Sequence, residues 1–166
     1  MPVPGRIRDT DRSSCYAAED QWSAAVNRGG PIDFFGSHLH LPVQLRFGGL
    51  DAVTDYVAGL SAMHPLSDPV VVRHRRGDAR AHYSNGVIAI PSDAQWACRE
   101  SVLLHEFAHH LVATNGTATG NVVPAHGAYF RTTMVALVGR MQTPESALLL
   151  RSCYEANGLA VPIDVD

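Results

Sequence analysis

The segment VLLHEFAHHL, residues 102–111, places three groups that prefer water inside a run that is otherwise nearly all apolar. His105 and His109 are four residues apart, and Glu106 lies between them. On a helix, residues four apart lie on one face, so both imidazoles can point at a single metal ion. Glu106 points about 100° away from His105, where its carboxylate can reach a water molecule on that ion without binding the ion. The segment therefore predicts a metal-binding helix of the H-E-x-x-H type.

The apolar setting favours this interpretation over an ordinary helix surface. Four apolar residues surround the three polar ones: Leu103, Leu104, Phe107 and Leu111. Burying two imidazoles and a carboxylate without partners would cost several kcal/mol, which a metal ion offsets. The spacing alone also arises by chance in roughly one such chain in a hundred, so the alternative is a set of ordinary hydrogen-bonded helix residues.

A zinc ion that keeps one position open for water needs a third protein ligand. No Asp or Glu occurs between residues 107 and 144, and the residues after His109 lack the glycine and histidine of the metzincin pattern. His126, in the segment PAHGAYF (124–130), is the remaining candidate, and Gly127 beside it would let two helices approach closely. The alternative for His126 is a surface histidine at the start of a helix. His110 points about 100° away from His109, so we expect it behind the ligands or at the surface.

The periodicity of apolar residues predicts one helix, a strand, a second helix, a small sheet and three more helices. The predicted helices span about residues 14–28, 49–64, 93–114, 124–141 and 144–157, and the predicted strands span 38–47, 70–74, 81–84 and 87–91. Asn85-Gly86 is a strong hairpin signal, so we expect the last three strands to form a meander. The predicted fold class is α+β, with a small antiparallel or mixed sheet packed on the metal-binding helix.

Composition and charge exclude several classes of protein. The chain has 166 residues, 46% hydrophobic and 17% charged, which fits one soluble domain at residues 14–166 after a flexible arm at 1–13. A net charge of −3 gives no overall attraction to nucleic acid, and we expect the arginine cluster RHRRGDAR (73–80) to be a solvated hairpin end. The three cysteines show no C-x-x-C pairing, and no segment is apolar enough for secretion or a membrane span. These features predict a cytoplasmic protein with reduced cysteines that does not associate with membranes.

VLLHEFAHHL followed by HGAYF resembles the zincin-type metallohydrolases of actinobacteria and, more distantly, the SprT-like metallopeptidases, whose third ligand comes from an H-G-x-x-F/W element on the next helix. The segment YSNGVIAIP (83–91) also looks like the strand that these proteins place beside the active-site helix, so the resemblance covers roughly residues 80–157. It implies a zincin-like fold, one zinc ion per chain on His105, His109 and His126, and Glu106 as the catalytic acid/base. The chain lacks a C-terminal cysteine zinc ribbon and a basic tail, so a role on DNA-crosslinked protein is not implied.

These residues predict a zinc metallopeptidase that hydrolyses amide bonds of a peptide or protein. Three neutral histidines leave the ion its full charge, which lowers the pKa of bound water to about 7. Glu106 would take a proton from that water and return it to the leaving amine. Tyr83 and Tyr129 are weak candidate donors to the oxyanion, and the favoured alternative for each is a core residue. VIAIP (87–91) could bind an extended peptide if it is an edge strand.

Two other classes of function compete with this prediction. A zinc amidohydrolase of a small molecule would use the same four residues. A non-catalytic zinc site or pH-sensitive binding surface would instead close the fourth coordination position, and it would have no need of Glu106 between the ligands.

Overall fold

The computed structural model of the chain describes residues 7–77, 80–120 and 122–163. These ranges contain five helices, α1 (Arg12–Arg28), α2 (Leu50–Met63), α3 (Glu100–Thr119), α4 (Ala128–Met141) and α5 (Pro144–Ala156). They also contain five strands in two sheets, β1 (Gly30–Phe34), β2 (Ser37–Leu41), β3 (Val71–His74), β4 (His82–Ser84) and β5 (Val87–Ile90). The predicted α+β class is confirmed.

The predicted strand at 38–47 is wrong in extent. Strand β2 ends at Leu41 and pairs antiparallel with β1, which the sequence pattern did not predict. Pro42 cannot donate to a strand ladder, and the buried side chain of Gln44 bonds instead to the Asn27 side chain (2.6 Å) and the Ser101 amide (2.9 Å). The apolar alternation beyond Pro42 therefore does not mark a buried face.

The second sheet contains the predicted hairpin but not the predicted meander. Asn85 and Gly86 have φ values of 48° and 77°, the positive values that a two-residue hairpin turn requires, and they join β4 to β5. Strand β3, however, pairs in parallel with β5, so the order is β3-β5-β4. Because β5 is the central strand, its buried backbone is already paired and VIAIP cannot bind a peptide along its edge.

The helix that carries His105 and His109 begins and ends later than predicted. Residues Gln95–Cys98 form a 3-10 turn, and Arg99 is extended (φ −107°, ψ 147°) because this segment pairs with the segment around Arg46. Helix α3 therefore starts at Glu100. It continues through the predicted break to Thr119, where Gly120 ends it with a left-handed φ of 70°.

The last two helices follow their local signals to different degrees. Pro124 does not begin α4; its carbonyl accepts a hydrogen bond from the Gly127 amide (3.1 Å) in a turn that precedes the helix. Helix α5 begins as predicted, since the Thr143 hydroxyl accepts a hydrogen bond from the Ser146 amide (3.2 Å) and Pro144 takes the first helical position.

Helix α1 is held against α5 in the core, next to α3. Trp22 of α1 is fully buried and its indole N–H donates to the Ser146 hydroxyl of α5 (2.9 Å). The helix starts at Arg12, inside the predicted arm, and residues 1–6 of that arm lie outside the described residues. Asp11, just before the helix, is bonded to the core, since it forms an ion pair with the buried Arg131 of α4 (2.8 Å).

The three cysteines are free in the structure, and Cys15 and Cys98 are buried. Among the helices of the described ranges, none is both long and apolar enough to cross a bilayer.

Candidate metal centre

Three histidines from two parts of the chain converge on one point. His105 and His109 lie on α3, and His126 lies in the turn before α4. The Nε2 atom of His105 is 3.1 Å from that of His109 and 3.4 Å from that of His126, and the ligand atoms of all three lie within 4.8 Å of one another. Ligand nitrogens around a tetrahedral zinc ion lie about 3.3 Å apart. The three predicted ligands are therefore close enough to bind one metal ion.

Carboxylates on the far side of two of these rings decide which nitrogen faces the centre. The Nδ1–H of His105 donates to Glu19 (2.5 Å), and the Nδ1–H of His126 donates to Asp9 (2.6 Å). With a hydrogen bond at Nδ1, each of these two rings turns its Nε2 atom toward the centre. The Nε2 atoms of His105 and His126 face each other at 3.4 Å, where a proton or a metal ion can bond to both, so this donor set suits a metal ion.

Glu19 is itself held by the core behind the site. Its buried carboxylate accepts hydrogen bonds from the Tyr154 hydroxyl (2.6 Å) and the Cys15 thiol (3.4 Å) as well as from His105. Burial alone would raise the pKa of Glu19, but the charge and hydrogen bond of His105 and these two donors lower it on balance. Burial lowers the pKa of His105, and the charge of Glu19 reverses this and raises it. Glu19 therefore stays ionised behind its ligand ring.

The other two rings are held in the neutral form. Burial, followed by the charges of His105 and His126, lowers the pKa of His109 to about 2. Burial also lowers the pKa of His126, although the hydrogen bond and charge of Asp9 oppose the shift. Because only a neutral imidazole can donate its lone pair to a metal, both rings are ready to bind one at neutral pH.

Arg131 fixes the turn that carries His126. This buried guanidinium donates to the His126 carbonyl (2.7 Å), to Asp11 (2.8 Å) and, through Nε, to the Ala160 carbonyl (2.9 Å). Arg131 thus bonds to three segments at once: the turn, the segment before α1 and the segment after α5.

Glu106 lies beside the three histidines and lines a cleft of about 310 Å³ together with His105. It is 5% exposed, and burial is the main cause that raises the pKa of its carboxyl, with the charge of Glu19 adding to the rise. The charges of His105 and Arg75 and the backbone N–H of Tyr83 oppose it. Among the described residues, Glu106 is not in the group that could hold a metal.

His110 and the two tyrosines that the sequence singled out have other partners. His110 is buried, not at the surface, and bonds to the Asp68 carbonyl (2.8 Å) and the Tyr83 hydroxyl (3.2 Å). Tyr129 is 43% exposed, accepts a hydrogen bond from Asn115 (2.6 Å), and lines a larger cleft of about 470 Å³ that contains none of the three clustered histidines. Neither tyrosine lines the cleft beside Glu106.

Sequence reasoning missed Asp9, Glu19 and Tyr16. The ring of Tyr16 stacks on His105 (centroids 5.2 Å apart, planes at 20°) and lies 5.2 Å from the ring of His126. Tyr16 and Glu19 are three residues apart and so share a face of α1. The sequence offered one signal, an acid (Glu19) on the apolar face of the predicted first helix. Only the packing of α1 shows that this acid contacts His105.

Comparisons with protein-family models, with curated proteins and with solved structures found no match to this chain. The resemblance to zincin-type metallohydrolases rests on the motif residues of the sequence alone.

We expect zinc titration to show one ion per chain and to separate His126 from His110. His126→Ala removes a ligand and should weaken zinc affinity by orders of magnitude in a competition assay with a chromophoric chelator. His110→Ala should change that affinity by about tenfold at most. It should instead lower the free energy of unfolding by about 1–3 kcal/mol, because it removes a buried hydrogen-bond partner. Equal losses of zinc affinity in the two variants would show that His126 is not the third ligand.

The carboxylate behind His126 gives a second prediction. Asp9→Asn keeps the shape of the side chain but removes the charge that supports Nδ1–H, so zinc affinity should fall about tenfold or more. Asp55→Asn is the matched control, since Asp55 is exposed on α2 and forms no hydrogen bond with a histidine in the part of the chain that the structure describes. An unchanged affinity in Asp9→Asn, or the same loss in both variants, would contradict this role.

Proposed function

We propose that this protein is a zinc-dependent hydrolase that cleaves amide bonds, with a peptide bond as the first candidate. One observation carries the proposal: three imidazole Nε2 atoms converge on one point, and the buried carboxylate of Glu106 lies beside them in the wall of a cleft. Ligands alone would serve a structural site. A carboxylate between two of them, open to a cleft, is what hydrolysis requires.

The donor set fits zinc. His105, His109 and His126 would hold the ion, and imidazole nitrogens are among its preferred ligands. A zinc ion on three neutral ligands lowers the pKa of bound water to about 7 and polarises a substrate carbonyl. Glu19 and Asp9 would support this chemistry by fixing the orientation of two of the rings.

Glu106 is the proposed general base and acid. Its burial raises the pKa of the carboxyl toward the working pH, where a group can both accept and release a proton. In the cleft it can take a proton from the attacking water and deliver it to the leaving amine, so the amide nitrogen departs as a neutral amine. The same group then serves both halves of the reaction.

A small-molecule amide is the second candidate substrate. The cleft beside Glu106, at about 310 Å³, is near the lower end of the range for small-ligand sites, about 300–1,000 Å³. A peptide would have to extend beyond it. Of the two edge strands of the neighbouring sheet, β3 and β4, β4 is the one that contacts α3. Both candidates use the same zinc ligands and the same base.

Glu106→Gln tests catalysis separately from structure. The substitution keeps the size of the side chain but removes the proton acceptor, so zinc content and thermal stability should stay near wild type. Hydrolysis of a substrate found by peptide-library screening should fall by about 10²-fold or more. Glu155→Gln, at an exposed position on α5, is the matched control and should keep full activity.

An unstable or zinc-poor Glu106→Gln variant would identify Glu106 as a structural group and contradict the enzymatic assignment. Retention of full turnover by a stable, zinc-loaded variant would contradict it as well.

A further inference from the structure

The cleft beside Glu106 has two arginines in its walls. It lies against α1 and the first turns of α3, and its lining includes Tyr16, Arg80, Trp96 and Arg99 together with His105 and Glu106. Two guanidinium groups thus share one cavity with the proposed catalytic base. The proposed reaction does not use either of them.

Arg80 lies close to the metal centre. Its guanidinium carbon is 4.2 Å from the centre of the Tyr16 ring, a cation–π contact, and the same ring stacks on His105. Its backbone carbonyl accepts a hydrogen bond from the Arg75 guanidinium (2.7 Å), which holds the segment in place. Arg80 is exposed, which agrees with the solvated segment predicted for residues 73–80, and it also lines the cleft. Residues 78 and 79 of that segment lie outside the described residues.

Arg99 approaches the cleft from the residue before α3. Its Nε–H donates to the Trp96 carbonyl (2.9 Å), and its backbone pairs with the segment around Arg46. This fixes the direction of the side chain but uses only one of the five N–H donors of a guanidinium. The two terminal nitrogens can still donate to a ligand.

The acids that line the described part of the cleft are not paired with these arginines. Within the described residues, neither Arg80 nor Arg99 forms an ion pair with a carboxylate. Glu19 is bonded to His105 and Tyr154, Glu106 is the proposed base, and Asp20 is exposed at the cleft. Two guanidinium groups in one cavity bind an anion through charge-assisted hydrogen bonds. Repulsion from Asp20 and Glu106 favours a singly charged carboxylate over a doubly charged phosphate.

We propose that Arg80 and Arg99 bind a carboxylate of the substrate in this cleft, so that the preferred amide carries a negative charge close to the bond that is cleaved. This inference rests on the proposed function, because it assigns a substrate class to the same site. The carboxylate can be an acidic side chain or the C-terminal carboxylate of a peptide.

The test compares matched probes on the zinc-loaded Glu106→Gln variant by isothermal titration calorimetry. For the side chain, the pair is acetyl-Ala-Glu-amide and acetyl-Ala-Gln-amide; for the terminus, it is acetyl-Ala-Ala with a free carboxylate and with a carboxamide. The acid member of one pair should bind about tenfold tighter or more, the usual size for a charge-assisted hydrogen bond. Arg80→Gln and Arg99→Gln should each remove most of that preference, whereas Arg73→Gln, exposed on β3, should keep it.

The pair that shows the preference identifies which carboxylate binds. Equal binding of acid and amide in both pairs would overturn the inference. So would a preference that survives both arginine substitutions, because it would come from the zinc ion itself.

Activity of the wild-type protein separates this inference from the proposed function. Cleavage of library peptides with no preference for acidic residues would support the proposed hydrolase. It would contradict the proposed carboxylate-binding site. Arginine-dependent binding without cleavage of any peptide or small amide would support the carboxylate site and contradict the hydrolase.

Discussion

The two carboxylates that bond to the imidazoles of His105 and His126 are the constraint on which the rest of this structure depends. Glu19 and Asp9 accept hydrogen bonds from the Nδ1 atoms of these rings, which turns their Nε2 atoms toward each other at 3.4 Å. A metal ion placed between the Nε2 atoms would bond to both of them. The surrounding fold serves to hold the rings there, since Trp22 fixes α1 to α5 and Arg131 fixes the turn that carries His126.

The part of the site that lies on one helix could be predicted from the sequence. The spacing of His105, Glu106 and His109 brings the three side chains together only on a helix, and the structure has a helix there. His126 could be named because the chain offered few other ligands before residue 144. Asp9 and Glu19 could not be named, because their role comes from packing between segments that are 117 and 86 residues apart in sequence from the rings they contact.

The fold shows the same division between local and distant causes. Helix α5 and the Asn85-Gly86 hairpin follow signals within a few residues, and both formed as predicted. The errors arose where distant contacts override a local pattern. Gln44 turns away from the strand pattern to bond with α1 and α3, and β3 pairs in parallel with β5 although β4 comes between them in sequence.

A crystal structure of the zinc-loaded protein, with anomalous scattering measured at the zinc edge, tests the central claim most directly. Our account predicts one zinc ion on the Nε2 atoms of His105, His109 and His126, with a water molecule as the fourth ligand within hydrogen-bond distance of Glu106. A fourth protein side chain on the ion would make the site structural and contradict the hydrolase. An anomalous peak elsewhere in the molecule, with none between these rings, would contradict the metal centre itself.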